Sequence, residues 1–296
     1  MTEQTTQNQH RFVIGIGSQR AGSTLLHNLL DESTSIFMHP LKELHYFDSL
    51  FHVRAPQALV AFSRRQLDRQ LDEIIAATQY GFIDKSYKCL LRTNRILAST
   101  PVENVDYLNL FRPCLMGNPV VGESTPEYML FSVEQLRKMK EIVGEDASFI
   151  LVCRNPVRRL LSAAKLVSDY HGLNMTNDQM NEWLAKTIAD ETGWMTAQDR
   201  YNDYRGAMER YTSVFRRVVA VSYDDLVTEP KMAAAKIAGV IGVDIDEEAF
   251  QGGVATVHNA LSSKFEFDPK LVENLTERYR AEQSFIESEF SRSVRL

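Results

Sequence analysis

A short apolar run that leads directly into a glycine-spaced turn is the strongest constraint on the fold of this chain. Residues 12–17 read FVIGIG, residues 17–24 read GSQRAGST, and the apolar residues that follow are spaced as in a helix. A strand, a tight turn and a helix in this order bring unpaired backbone N–H groups and the positive end of a helix dipole to one point. The pattern predicts an anion-binding turn at the carboxyl end of a strand.

Similar apolar runs recur along the chain and alternate with helical stretches. They cover residues 119–122, 148–153 and 218–222, with a shorter candidate at 36–38. Strands separated by helices are typical of a parallel sheet, because parallel neighbours need a crossover connection. We therefore predict an α/β, P-loop-like three-layer fold, in which a central, mainly parallel sheet is flanked by helices.

Eight helices are predicted from apolar spacing and from start signals. A polar residue followed by proline marks two of the starts, Asn155-Pro156 and Asp268-Pro269. The chain shows no internal repeat and no long linker, which favours one domain over residues 11–296. The predicted helices cover residues 23–31, 56–78, 133–143, 156–171, 181–191, 198–215, 230–241 and 269–290.

Two segments stand apart from this pattern. Residues 1–10 are polar and read as a disordered lead-in, because they offer no apolar surface to offset the entropy of ordering. Residues 50–118 read as a mostly helical insertion that forms a lid or binds an acceptor. Four basic side chains in it can attract an acidic group, but their spacing is also that of a solvated helix face, which we favour. They are Lys85, Lys88, Arg92 and Arg95.

Charge and composition exclude several classes of protein. The 296 residues are 44% hydrophobic, enough for a core, and 33 basic against 39 acidic side chains give a net charge of −6, which argues against a nucleic-acid binder. No apolar run is long enough to span a bilayer, and from the polar residues 1–10 we expect a protein that is not exported by a classical signal. The cysteines, Cys89, Cys114 and Cys153, fit neither a disulfide framework nor a zinc site. We expect a cytoplasmic protein.

The turn has the GxxxxG spacing of a P-loop but lacks the lysine of an ATP or GTP site. Ser23 follows the second glycine, where that lysine reaches the β- and γ-phosphates, and the positive charge lies at Arg20 instead. Such a turn suits a single 5′-linked phosphate group better than a triphosphate with Mg²⁺. From this motif alone, a turn without any ligand is an equal alternative.

A second anion site is predicted where the run 148–153 ends. Arg154 follows it at the edge where open α/β sheets bind ligands, and Ser162 lies just under two helical turns later. A guanidinium fork and a hydroxyl can hold a phosphate. The alternative is that Arg154 pairs with a carboxylate at the sheet edge and Ser162 fills a packing space.

Four segments in this order carry a resemblance to a known family. They read GSQRAGST at 17–24, ELHYFD at 43–48, ESTPEY at 123–128 and RNPVRRLLS at 154–162. The chain resembles sulfotransferases that use 3′-phosphoadenosine 5′-phosphosulfate (PAPS), most closely the heparan-sulfate type and its bacterial relatives. The resemblance covers nearly the whole chain. It implies an enzyme that moves a sulfuryl group from PAPS to a hydroxyl acceptor, releases 3′-phosphoadenosine 5′-phosphate (PAP) and uses no metal.

The resemblance also implies roles for individual residues. The 3′-phosphate is expected on Arg154 and Ser162. Glu43 matches the catalytic base, and His45 and Asp48 match the E-x-H-F-F-D pattern around it. Arg20 is expected to stabilise charge on the leaving oxygen as well as to bind the donor. The 5′-phosphosulfate is expected on Gln19, Arg20, Ala21, Gly22, Ser23 and Thr24.

Two departures from the family pattern concern the donor site. Ser124 stands where the family has a lysine in EK[ST]P, and the loop before the last helix lacks the family's KGR sequence, with Lys264 as its substitute.

We expect burial to raise the pKa of Glu43. If the segment is extended, His45 lies on the same side of the chain as Glu43. A surface ion pair between Glu43 and Lys42 is the alternative.

The acceptor and the competing functions stay open at this point. A carbohydrate hydroxyl is favoured because Glu43 and its neighbours match the heparan-sulfate type, while lipid and small-metabolite hydroxyls are alternatives. A P-loop kinase or NTPase and a non-catalytic nucleotide-binding protein are the competing functions. The missing lysine after Gly22 argues against the first of these. The sequence gives no prediction of the oligomeric state.

Overall fold

The molecule is built on a five-stranded parallel sheet with the strand order β2-β3-β1-β4-β5. The computed structural model describes residues 10–112, 115, 117, 119–171, 173, 175–255 and 265–290. The predicted α/β fold is confirmed, and every predicted strand lies within about two residues of its expected limits. The strands are β1 (Arg11–Gly17), β2 (Phe37–Met38), β3 (Val120–Ser124), β4 (Ser148–Cys153) and β5 (Arg217–Ser222).

Side chains of β1 and β4 alternate between two apolar cores. Phe12 and Ile14 of β1 face one core and Val13 faces the other, while Phe149 and Ile150 of β4 divide in the same way. Strands buried on both faces are typical of a sheet that is covered by helices on each side. This arrangement gives the three predicted layers and leaves the carboxyl ends of β1 and β4 side by side.

The helices fill the two outer layers and most of the segment from 50 to 118. The predicted caps are present: Asn155 Oδ1 accepts from the Arg158 N–H at 3.0 Å, and Asp268 Oδ1 accepts from the Lys270 N–H at 2.8 Å. In the described residues the α-helices are α1 (Ser23–Ser33), α2 (Tyr46–Leu50), α3 (Pro56–Ala76), α4 (Lys85–Ser99), α5 (Val133–Val143), α6 (Pro156–His171), α7 (Asn177–Ala189), α8 (Gly193–Asn202), α9 (Tyr204–Thr212), α10 (Tyr223–Thr228), α11 (Pro230–Ile241), α12 (Glu247–Ala255), α13 (Pro269–Arg278) and α14 (Arg280–Phe290).

Two predicted helices are each divided in two, so the prediction of a continuous helix is wrong in both places. Asp203 leaves the helical conformation with ψ of 64° and caps α9 by accepting from the Gly206 N–H at 3.0 Å, which separates α8 from α9. Tyr279 separates α13 from α14, and its hydroxyl donates to Asp199 at 2.7 Å. Apolar spacing alone does not reveal either break.

The basic side chains of α4 largely form the solvated face that we favoured. Lys88 and Arg95 are exposed, whereas Arg92 donates to the carbonyl and side-chain oxygens of Asn109 at 2.5 and 2.8 Å. A cation that is bonded to a neighbouring amide is less available to an acidic ligand. The structure therefore gives no sign of an anion site on this face of α4.

Cys89, also on α4, corrects the prediction for the cysteines. It is disulfide-bonded, whereas Cys153 is free and buried, and Cys114 lies outside the described residues. Because disulfides are rare in reducing compartments, cysteine usage no longer supports the expected cytoplasmic location. In the described part of the chain, no helix has both the length and the apolar character needed to cross a bilayer.

Candidate active site

The glycine turn lies at the carboxyl end of β1, between β3 and β4, where the strand order reverses. Open α/β sheets bind ligands at such a switch point. The first hydrogen bond of α1 runs from the Leu26 N–H to the Gly22 carbonyl at 3.0 Å. Helix geometry therefore leaves the N–H groups of Ser23 and Thr24 without intrahelical partners, directed at the space in front of the turn.

Two residues give the turn its shape. Gly22 has a φ of 104°, and a Cβ on it would lie 2.5 Å from the Tyr223 ring, so a larger residue does not fit. Arg20 is also left-handed, with a φ of 65°, and its carbonyl accepts from Arg154 Nη1 at 3.0 Å. The N–H of Ala21 donates to the Ser18 carbonyl at 3.1 Å and closes the turn.

One cavity brings most of the predicted site residues together. Ala21 and His45 lie outside its lining, Ser162 joins it through Arg20, and Lys264 lies outside the described residues. The predicted base and both arginines thus face the same space. The predicted residues that line the cavity are Gln19, Arg20, Gly22, Ser23, Thr24, Glu43 and Arg154.

The two arginines form one positively charged cluster in this cavity. Arg20 Nε donates to Ser162 Oγ at 3.1 Å, and the Arg154 guanidinium lies 4.7 Å from the centre of the Tyr223 ring. Burial and the charge of Arg154 lower the pKa of Arg20, and the charge of Glu43 opposes them. The described contacts of Arg154 are therefore with the Arg20 carbonyl and the Tyr223 ring. They do not include the sheet-edge carboxylate with which the alternative prediction paired Arg154. Two like charges held together favour an anion between them.

The cations that contact Glu43 lower the pKa of its carboxyl group. Its carboxylate lies 2.5 Å from Lys42 Nζ and 3.6 Å from His45 Nε2, so the pairing with Lys42 is real, yet the carboxylate also lines the cavity. Burial alone would raise its pKa, but the hydrogen bond from His45 and the charge of Lys42 outweigh burial and lower the pKa of Glu43 to about 2. The prediction that its pKa is raised is therefore wrong.

His45 stands behind Glu43, and the acidic groups around it raise its pKa. The expected extended segment is wrong, because Glu43 and His45 have φ values of 65° and 50°, but the two side chains still meet. His45 Nδ1 donates to Asp48 Oδ2 at 2.8 Å. Burial alone would lower the pKa of His45, but the hydrogen bonds to Asp48 and Glu43 and the charge of Glu127 outweigh it and raise this pKa to about 10. The raised pKa favours the charged imidazolium, and His45 is placed to orient Glu43.

Sequence reasoning missed two members of this group. Glu127 follows β3, and its Oε2 lies 3.7 Å from His45 Nδ1, buried and without a hydrogen-bond partner in the described residues. Arg54 Nη1 lies 2.8 Å from His45 Nε2. The position of Glu127 after the strand beside β1 was a signal that could have found it. We call the set of three carboxylates and three cations the carboxylate cluster: Glu43, Asp48, Glu127, Lys42, His45 and Arg54.

Three groups of the carboxylate cluster have the spacing of metal ligands. Glu43, His45 and Glu127 each offer one ligand atom within 4.8 Å of the other two. In the structure, Lys42 Nζ contacts Glu43 Oε1 and Arg54 Nη1 contacts His45 Nε2, whereas Glu127 Oε2 has no hydrogen-bond partner in the described residues. Three positive and three negative charges balance when all six groups are ionised. The absence of a metal stays a prediction.

The substitution at Ser124 has a structural reason. Ser124 is 1% exposed and packs beneath β1, where a Cβ added at Gly15 would lie 2.5 Å from Ser124 Oγ. Ser124 is the partner of Gly15 in the neighbouring strand and is not among the residues that line the cavity. Ser124 therefore cannot supply the contact that the lysine of the family pattern would make.

Comparisons with known proteins agree with this architecture. By structure, the chain is similar to a sulfotransferase from Alicyclobacillus acidocaldarius, with 19% identity over 94% of each chain and a TM-score of 0.58. It is also similar to the sulfotransferase domain from the curacin biosynthetic pathway, with 17% identity over 95% of this chain and 97% of that one and a TM-score of 0.50. At such identities the similarity shows the fold.

Comparison of the sequence with known families identifies the family of the chain. No curated protein matches the chain in sequence. The model of the sulfotransferase family, in contrast, matches residues 12–247, which span the glycine turn, the carboxylate cluster and the second arginine. This match covers well over half of the chain, and the chain therefore belongs to the sulfotransferase family.

Proposed function

We propose that this sulfotransferase moves the sulfuryl group of PAPS to a hydroxyl acceptor, with Glu43 as the general base. The observation that carries the proposal is the shared cavity, in which Arg20 and Arg154 face the same space as the Glu43 carboxylate. A cationic pair suits the donor's anionic ends, and a carboxylate beside it suits a hydroxyl that must lose its proton.

The residues of the cavity fit a nucleotide that carries anions on both sides of its ribose. The turn supplies the N–H groups of Ser23 and Thr24 and the charge of Arg20 for the 5′-phosphosulfate. Arg154 and Ser162 are the partners for the 3′-phosphate. Ser162 already accepts a hydrogen bond from Arg20 Nε, and because a hydroxyl can accept and donate at once, it can still donate to a phosphate oxygen.

The chemical step needs position and charge more than covalent help from the protein. The acceptor oxygen forms a bond to sulfur, the bond from sulfur to the 5′-phosphate oxygen breaks, and the acceptor proton goes to Glu43. Arg20 and the N–H groups of the turn stabilise the charge that develops on the leaving oxygen, an effect of about 2.7–4 kcal/mol per donor in other enzymes. A positioned base adds about 10² to 10⁴ in rate.

The low pKa of Glu43 requires a change of partner during this step. A carboxylate held by Lys42 and His45 is a weak base, and an acceptor hydroxyl must reach one of its oxygens. When the hydroxyl displaces Lys42 from Glu43 Oε1, the carboxylate loses a cation and becomes more basic. Lys42 thus links acceptor binding to the activation of the base.

Two alternatives lose support from the structure and the family. A P-loop kinase or NTPase needs a lysine where this chain has Ser23, and the family match points to sulfuryl transfer instead. A non-catalytic nucleotide-binding protein has no use for a carboxylate that is oriented by a buried imidazolium within the nucleotide cavity. The carboxylate cluster therefore favours an enzyme.

The acceptor class is the least constrained part of the proposal. A carbohydrate hydroxyl follows from the resemblance of residues 43–48 to the heparan-sulfate type. A cavity of about 1020 Å³ lies between α3 and α4, and apolar side chains such as Leu59, Val60 and Leu97 form much of its lining. Apolar walls of this kind favour a lipid or another acceptor with an apolar body as a second candidate.

The test is a transfer assay with ³⁵S-labelled PAPS and a matched panel of acceptors. The panel holds sulfate-free oligosaccharides, long-chain alcohols and small polar alcohols, each with and without EDTA. We expect labelled product from at least one hydroxyl class, no effect of EDTA, and thermal stabilisation by PAP without Mg²⁺. Stabilisation by Mg-ATP instead of PAP would overturn the donor assignment, and loss of activity in EDTA would overturn the metal-free chemistry.

A further inference from the structure

Arg159 is a fully buried arginine that lies directly beneath the glycine turn. It belongs to α6, and its Nη1 donates to the Gln19 carbonyl at 3.3 Å. Its other partners are neutral amides: Nε donates to Asn202 Oδ1 at 2.6 Å, and Nη2 donates to Gln198 Oε1 at 3.0 Å. The positive charge therefore has hydrogen bonds on all sides but forms no ion pair with a described carboxylate.

A buried charge of this kind is unfavourable in the free protein. Burial lowers the pKa of Arg159, and nearby tyrosines and the charge of Asp199 oppose this effect, but no carboxylate of the described residues forms an ion pair with the guanidinium. Buried charges in proteins are normally paired with an opposite charge. An anion bound in the turn above Arg159 would supply the negative charge that no contacting carboxylate provides.

Arg159 also fixes the orientation of the turn. The peptide bond between Gln19 and Arg20 is trans, so the N–H of Arg20 points away from the Gln19 carbonyl. Because Arg159 holds that carbonyl towards the interior, the N–H of Arg20 is directed to the cavity that both residues line. Ser18 Oγ, which donates to the Tyr201 carbonyl at 2.6 Å, ties the same stretch of chain to α8.

We propose that Arg159 is a positioning residue for the 5′ anion of the donor, which it favours through its unpaired buried charge and through the Gln19 peptide that it orients. The inference rests on the proposed function, since it takes the anion in the turn to be the 5′ group of a nucleotide. It predicts that Arg159 contributes to the binding of the 5′-phosphate group of the ligand and does not contribute to the binding of the 3′-phosphate group.

The first experiment compares two nucleotides that differ only at the 5′ position. The full chain and its Arg159→Gln variant are titrated by calorimetry with PAP and with adenosine 3′-phosphate, which lacks the 5′-phosphate. We expect Arg159→Gln to lower the affinity for PAP at least about tenfold, equivalent to about 1.4 kcal/mol. The affinity for adenosine 3′-phosphate should change by less than about twofold. The exposed neighbour Arg158 supplies the control, because Arg158→Gln should change neither affinity.

A second variant removes the dependence on how well Arg159→Gln folds. Asn202→Asp keeps the shape of the side chain that accepts from Arg159 Nε but gives Arg159 a counter-ion. Asn202 Nδ2 also donates to the Pro156 carbonyl at 3.4 Å, a bond that the variant loses, so thermal unfolding is measured beside binding. We expect a folded variant that binds PAP at least about tenfold more weakly. Arg159→Lys, which keeps the charge but loses the fork, should bind PAP with an affinity between wild type and Arg159→Gln.

The outcomes separate this inference from the proposed function. Equal losses for both nucleotides in Arg159→Gln, or unchanged PAP affinity in Asn202→Asp, would show that Arg159 only supports the fold. Failure of the wild type to bind PAP would instead overturn the donor assignment itself. Selective loss of PAP affinity in both variants, with Arg158→Gln unaffected, supports the role proposed for Arg159.

Discussion

Arg20 Nε donates a 3.1 Å hydrogen bond to Ser162 Oγ, although the two residues are 142 positions apart in the chain. The bond joins the turn after β1 to the second turn of α6, which begins after β4. Because β1 and β4 are neighbours in the sheet, the two anion sites predicted from separate motifs form one continuous surface. A ligand that occupies one of them is within reach of the other.

Removal of the Ser162 hydroxyl should weaken the binding of the 3′-phosphate selectively. We expect Ser162→Ala to lower the affinity for PAP about tenfold, since a hydrogen bond to a charged group contributes about 1.5–3 kcal/mol. The affinity for adenosine 5′-phosphate should change by less than about twofold. Calorimetric titration of both nucleotides measures this difference.

The matched control for Ser162→Ala lies on the same helix. Ser168 is also a serine of α6, but its hydroxyl accepts from the Met175 N–H at 3.4 Å, so Ser168→Ala should leave both nucleotide affinities unchanged. Equal weakening of PAP and adenosine 5′-phosphate by Ser162→Ala would place the 3′-phosphate elsewhere.

Replacement of Glu43 should stop turnover while the donor still binds. Glu43→Gln keeps the size of the side chain but cannot take up the acceptor proton, so we expect kcat to fall by about 10² to 10⁴ and the PAP affinity to change little. Glu32→Gln is the control, because Glu32 is another carboxylate in the lining of the same cavity. Wild-type turnover in Glu43→Gln would refute its role as the base.

Those parts of the fold that depend on local pattern could be predicted closely from the sequence. The run 148–153 and the helix 156–171 have the predicted limits, because a strand buried on both faces and an Asn-Pro start are both visible in adjacent residues. The breaks at Asp203 and Tyr279 could not be predicted, since each depends on polar contacts that apolar spacing does not reveal.

In the candidate site, too, features set by local sequence pattern could be predicted, whereas features set by three-dimensional partners could not. The turn and Arg154 each follow a predicted strand, so their meeting at one sheet edge follows from topology. The pKa of Glu43 was predicted in the wrong direction because burial was considered without the cations around it. Glu127 and Arg159 were missed because their importance comes from three-dimensional partners, an imidazolium for one and a backbone carbonyl for the other.

Stability should depend on pH in a way that reports the carboxylate cluster. The pKa of His45 is raised from 6.5 to about 10, so its contribution is fully present below pH 6.5 and is lost as the pH rises through 10. The pKa of Glu43 is lowered from 4.5 to about 2, so its contribution is present above pH 4.5 and is lost as the pH falls through 2.

Asp48→Asn tests the alkaline side of this profile. The substitution removes the carboxylate that accepts from His45 Nδ1, so the pKa of His45 should fall and its stabilising contribution should be lost at a lower pH. Urea unfolding of both proteins between pH 6 and pH 10 measures the difference. Parallel stability curves for wild type and Asp48→Asn over this range would contradict a charged His45.

Glu127 should help to maintain the charge of His45 together with Glu43. Its Oε2 lies 3.7 Å from His45 Nδ1, and burial and the charges of Glu43 and Asp48 raise the pKa of Glu127, while His45 opposes them. If Glu127 is ionised, Glu127→Gln should lower the pKa of His45 by about one unit, since an opposite charge at this distance shifts a pKa by about 1–3 units. An NMR titration of the His45 ring measures this pKa directly.

The control for Glu127→Gln removes a hydrogen-bond donor to Glu127 but keeps the Glu127 carboxyl group itself. The Tyr201 hydroxyl donates to Glu127 Oε1 at 3.4 Å, so Tyr201→Phe should leave the pKa of His45 near its wild-type value. Because His45 orients Glu43, kcat should fall as His45 loses its proton, and this fall should occur at lower pH in Glu127→Gln but at the wild-type pH in Tyr201→Phe. An unchanged His45 pKa in Glu127→Gln would mean that Glu127 is protonated in the folded protein, and that Asp48 and Glu43 alone hold the imidazolium.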